Sequence, residues 1–122
     1  MRLAGFAAGA ETNLRQARHR LTEGLLPANL RALNIPARYV TGYLGDIGVS
    51  ASPSPMDFSA WAEAYVGDAW RTIDARHNQP RIGRVLMARG RDAVDVALTT
   101  SFGNTTLKEF SVWTDELPAA AA

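Results

Sequence analysis

The run from Asp57 to Asp74, reading Asp-Phe-Ser-Ala-Trp-Ala-Glu-Ala-Tyr-Val-Gly-Asp-Ala-Trp-Arg-Thr-Ile-Asp, limits the folds open to this chain more than any other stretch. Two aromatic-rich, alternating runs meet at Gly67-Asp68, and a pair of that kind reads as a two-residue hairpin turn between antiparallel strands. The turn fixes the register, with Val66 opposite Ala69 and Trp61 opposite Asp74. Successive side chains of a strand point to opposite faces. Ser59, Trp61, Glu63, Tyr65, Trp70, Thr72 and Asp74 therefore share one face, and Ala60, Ala62, Ala64, Val66, Ala69, Arg71 and Ile73 share the other. Ser59 becomes a diagonal neighbour of Asp74, roughly 7–8 Å away.

Upstream, Leu14, Ala17 and Leu21 recur at helical spacing between Glu11 and Glu23, and Gly24 is placed to end that helix. Pro27 can open a second short helix over Ala28 to Leu33, since its missing N–H is not needed in a first turn. Ala37 to Leu44 is rich in aromatic and β-branched residues and reads as a strand. Gly45 to Met56, with its serines and prolines, reads as a loop.

Beyond the hairpin, Ala75 to Pro80 breaks the chain and Ile82 to Ala88 is either a strand or a short helix. Arg89 to Asp92 reads as a turn, Ala93 to Leu98 as a short apolar segment, and Leu107 to Thr114 as a closing strand. The sum is one α+β domain over residues 1–122. Amino-terminal helices pack on an antiparallel sheet of about four strands and are the expected cover for one of its faces.

Charge and residue counts exclude several functions. Thirteen Lys plus Arg against twelve Asp plus Glu give a net charge of +1, so no nucleic-acid partner and no anionic membrane surface is expected. No apolar run reaches the length of a membrane span. The start of the chain is shorter than a secretory signal, which makes the cytoplasm the default location. There is no cysteine, so disulfides, thiolate metal sites and thiol nucleophiles are all excluded within the chain. Two histidines do not make a usual zinc site, and no metal or other cofactor is expected.

The text Ser59-Ala60-Trp61-Ala62-Glu63-Ala64-Tyr65, a tight turn, then Trp70-Arg71-Thr72-Ile73-Asp74 resembles the transglutaminase-like superfamily, including its bacterial cysteine-protease-like members. In those proteins the strand reads His-Ala-Trp-x-Glu-x-Tyr and is followed by Trp-x-x-x-Asp. Arg31 to Tyr43, Ile82 to Val85, Ala88 to Ala93 and Val112 to Glu116 are similar to further blocks of the family. The resemblance is strongest over residues 31–117, with residues 1–30 a divergent helical region. It implies a transglutaminase-like or papain-like core and an ancestral Cys-His-Asp chemistry of thiol acyl transfer or amide hydrolysis.

Carried over by position, the resemblance puts Asp74 at the triad acid and Ser59 where the histidine belongs, and the cysteine has no counterpart. The nucleophile position falls near His19, in text unlike the family's helix. The expectation is a pseudoenzyme, or a fragment of a longer parent, with a peptide or protein ligand in a groove lined by Trp61, Tyr65 and Trp70. No oligomeric state follows. The alternative is a hydrolase of altered chemistry that uses a serine or water with Asp74 and His77.

Each candidate also has a plain structural reading. Asp74 at a strand end caps local backbone, as turn aspartates do. Ser59 is a spectator hydroxyl, His77 a solvated loop histidine, and His19 an exposed one. Trp61, Tyr65 and Trp70 are core rings packed against helices. Arg81, Arg84, Arg89 and Arg91 form a solvated basic loop.

Overall fold

The computed structural model of the chain describes residues 24–53 and 58–120. The helix expected over Glu11 to Glu23 lies outside them. A helix, α1, occupies 24–32, so Gly24 is itself helical and does not end a helix, and Pro27 sits within α1 with its ring fully buried. The stop comes at Asn34, whose φ of 60° is left-handed. There the Ile35 N–H reaches the Leu30 carbonyl at 3.0 Å and the Asn34 N–H reaches that of Arg31 at 3.0 Å. These are the two bonds of a Schellman cap, which satisfies the last carbonyls of the helix.

Four strands follow: β1 (Ala37–Leu44), β2 (Phe58–Val66), β3 (Ala69–Ile73) and β4 (Arg84–Gly90). They form one antiparallel sheet in the order β3-β2-β1-β4. The expected hairpin is β2-β3, with Val66 paired to Ala69 and Tyr65 to Trp70. Gly67 and Asp68 have φ of 60° and 61°, the left-handed pair that lets two residues turn without splaying right-twisted strands. The ladder stops at Ala62 and Ile73, which leaves Trp61 and Asp74 as the next step of the same register.

The ambiguous segment after Ile82 is strand β4. It runs on through Arg89 and Gly90, which the sequence placed in a turn, because those residues pair with Val40 and Tyr39 of β1. The β1-β4 register shifts between Thr41 and Gly42, which leaves Met87 as a bulge. Gly42 is required there. A Cβ would collide with the carbonyl oxygen of Val85 and sit 2.8 Å from the Trp61 ring.

Among the described residues one helix is thus packed on a four-stranded antiparallel sheet, an α+β arrangement. The carboxyl end of α1 is tied to the sheet by Arg31, which donates to the carbonyls of Ala37 and Arg91 and pairs with Asp92 at 3.0 Å. The small core of Tyr39 and Ala60, with Ala88 against it, is covered by Val96 of a single 3-10 turn, Ala93–Val96. Among the described residues this turn provides a cover that the sequence assigned to amino-terminal helices alone.

The closing strand expected over Leu107 to Thr114 does not form. That stretch makes no ladder and leaves Leu107 and Trp113 about four-fifths exposed, while β1 already has a partner on each side. Around Thr114 the chain passes Gly45, and the segment Ser111 to Asp115 faces Tyr43 and Val85 across a shallow cleft. No described helix is long and apolar enough to cross a membrane.

Candidate functional site

Asp74 follows the last residue of β3, and the chain turns back at once through Ala75 to His77. Its Oδ1 accepts the backbone N–H groups of Arg76 and His77, each at 3.0 Å. Its Oδ2 accepts from the His77 ring Nδ1 at 2.9 Å and from an Arg84 terminal nitrogen at 2.7 Å. The carboxylate is 4% exposed. Burial pushes its pKa up. The His77 backbone N–H, the Arg84 guanidinium and the His77 ring outweigh that and hold it below the usual aspartate value.

The plain reading of Asp74 as a backbone cap describes half of what it does. The other half is an imidazole: His77 is not a freely solvated loop residue, because its side chain is only 24% exposed and bonded to Asp74. An Asx-type turn explains the difference. Capping at Arg76 and His77 folds the loop back and brings the ring three residues on to the second carboxylate oxygen.

Ser59 pairs with Gly42 on β1 and is buried, and its Oγ has no hydrogen-bond partner. It reaches neither Asp74 nor His77. Trp61 is 3% exposed, and the Arg84 guanidinium lies over its ring at 5.0 Å from the centroid, so it is interior and does not line an open groove. Tyr65 and Trp70 are about two-fifths exposed instead of forming core, and meet edge to face with centroids 5.5 Å apart. The Arg38 guanidinium stacks on Trp70 at 3.9 Å.

The basic cluster is a solvated loop only in part: Arg91 is exposed and Arg89 half-exposed, Arg81 and Arg84 are largely buried, and each guanidinium has a carboxylate. Arg81 is paired with Asp46 at 3.0 Å, Arg84 with Asp74, Arg89 with Glu63 at 3.0 Å, and Arg91 with Asp92 at 2.9 Å. Glu63 also takes the Arg38 Nε at 2.6 Å. Burial raises the Glu63 pKa, but hydrogen bonds and charge from Arg89 and Arg38 win and lower it. Sequence reasoning missed Arg84 and Arg81 as parts of the Asp74 environment. The signal was faint: β4 had to be recognised as the edge strand beside β1 before Arg84 could be placed over Trp61 and within reach of Asp74.

Beside Asp74 lies an open cleft of about 530 Å³, lined by Thr72, Ile73, Asn78, Gln79, Pro80, Arg81 and Arg84 as well as Asp74 itself. No cluster of three or more candidate metal ligands occurs among the described residues. Chemically, the arrangement offers an oriented imidazole, an ionised carboxylate and amide donors at the rim. It offers no thiol.

Residues 7–75 match the family model of the transglutaminase-like superfamily. No curated protein matches the chain. Among solved structures, the chain is similar to a proposed cysteine protease from Cytophaga hutchinsonii, with 38% sequence identity over 70% of this chain and a TM-score of 0.51. The chain spans about a third of that protein's length, 32%.

Proposed function

The chain belongs to the transglutaminase-like superfamily, and from that premise we propose that it is a pseudoenzyme for the family's thiol reaction, retained to bind a peptide or protein segment in the cleft beside Asp74. The observation that carries the reading is the residue count: the sequence contains no cysteine at any position. Thiol acyl transfer starts with a thiolate attacking a carbonyl carbon, and nothing in this chain supplies one. Ser59 does not substitute. Its hydroxyl is buried, bonded to nothing, and has no base within hydrogen-bond reach.

The Asp74 end of the hairpin is nevertheless held in place by four hydrogen bonds and opens onto a cleft of ligand size. Asn78, Gln79 and Thr72 place polar groups along its wall, as a bound main chain requires. Two assays test the reading. Incubation with a glutaminyl protein substrate and a fluorescent amine is expected to give no incorporation, and incorporation above a no-protein blank would overturn it. Titration with an immobilised peptide library is expected to select extended segments whose binding is lost in Thr72→Arg, which fills the cleft from an exposed strand position.

A further inference from the structure

We propose that the outer edge of β3 takes an acidic, extended peptide as an added strand, an inference that rests on the peptide-binding reading above and specifies its mode and its partner's chemistry. Register decides which groups the edge presents. Val66 and Ala69 flank the two-residue turn and exchange the first hydrogen bonds of the hairpin, so Ala69, Arg71 and Ile73 bond to β2 and the residues between them do not. The Tyr65 N–H agrees, since it turns away from its pair residue Trp70 and donates to the Pro36 carbonyl at 2.9 Å. The backbone N–H and C=O groups of Trp70 and Thr72 therefore point out of the sheet. Among the described residues β3 has β2 as its one neighbour, and residues 70–72 are exposed. Past Thr72 the free edge ends, because Asp74 gives its carbonyl to the Asn78 N–H.

Proteins blunt such edges with bulges, proline or charge. β4, the other edge of the sheet, carries the bulge at Met87. β3 pairs with β2 without a register shift and contains no proline. Its own device is the charge of Arg71, and a charge selects as well as repels. Thr72, Ile73 and Asp74 also lead the edge directly into the cleft.

Charge identifies the occupant. Among the described residues every arginine is in an ion pair except Arg71 and Arg76, one on β3 and one just beyond it. Asp68, the hairpin acid without a cation, lies in the turn at the other end of β3. On an added antiparallel strand, the residue opposite Arg71 stands on the Arg71 face, and the residues that bond Trp70 and Thr72 stand on the other. A carboxylate opposite Arg71 and β-branched residues opposite Trp70 and Thr72 are the complementary set. A second copy is not complementary. Two-fold pairing that uses all the outward groups is centred on Arg71 and sets it against itself, and like charges directly opposite are destabilising.

The experiment titrates the full chain into a fluorescein-labelled octapeptide of alternating valine and glutamate, read by polarisation. Saturable binding with Kd below about 1 mM is expected, at least about fivefold tighter than for the valine-lysine counterpart. Backbone N-methylation of the valines, whose N–H groups face β3, should abolish binding, while N-methylation of the glutamates should leave it. Arg71→Glu should reverse the preference toward the lysine peptide. If that variant loses its near-ultraviolet circular dichroism, the two N-methylated peptides on the wild type decide alone.

Three results overturn the proposal: equal loss from methylation at either residue, no preference for the acidic peptide, or a preference that survives Arg71→Glu. A dimer in sedimentation that the peptide dissociates would also overturn it, by giving the edge to a second copy. If the immobilised library selects segments with none of these features, this inference falls and the cleft reading stands. If neither the library nor the octapeptide binds, both fall.

Discussion

At the scale of single residues, two carboxylates do most of the electrostatic work. Asp74 and Glu63 both have folded pKa values held below the ordinary range, in each case against the opposing pull of burial. A depressed folded pKa contributes stability that is present above the unfolded carboxylate range, about 4, and is lost as pH falls through it toward the folded value. Urea midpoints are therefore expected to be flat near neutrality and to drop below about pH 4.5. Asp74→Asn should cost about 2–3 kcal/mol at pH 7 by weakening the contacts of a nearly buried Arg84, and should flatten part of the acid slope.

At the scale of elements, what was legible was local. The β2-β3 hairpin could be read because Gly67-Asp68 and the alternation on either side lie within one short run. β1 could be read from its β-branched and aromatic content. The β1-β4 pairing could not, because a short apolar run such as Val85-Leu86-Met87 fits strand or helix equally, and its partner is remote in sequence. The stretch Leu107 to Thr114 has strand composition and no partner strand, which shows that propensity proposes and pairing decides. For the candidate site, Asp74 and its cap were legible, whereas the plain reading of His77 as a solvated loop residue missed the turn that carries its ring back to Asp74.

β1, β2 and β4 approach one another closely at Gly42. Gly42→Ala must displace the Val85 carbonyl and the Trp61 ring, and is expected to cost about 1–3 kcal/mol, lowering the thermal midpoint. Gly67→Ala, with open space around it but a left-handed φ, should cost about 1–2 kcal/mol for backbone reasons alone.

At the scale of the whole molecule, order is graded from the middle of the sheet outward. β1 and β2 are paired on both sides and hold the fully or nearly fully buried Val40, Trp61, Ala62 and Ala64, while residues 97–120 make no ladder. Hydrogen exchange read by mass spectrometry is expected to be slowest in peptides spanning 38–43 and 59–65, and to reach its full extent at the earliest times across 99–110. Uniform protection over 97–120 would contradict this ranking.

The Glu63 contacts carry one more consequence, for how the strands are aligned. Its carboxylate on β2 takes Arg38 from β1 and Arg89 from β4, so three strands meet at one acid. A one-residue slip of β1 on β2, or of β4 on β1, would turn that arginine to the opposite face and leave a mostly buried carboxylate short of a cation. The ion triad therefore sets this register below a slipped one in free energy, and ties the alignment of three strands to a single side chain.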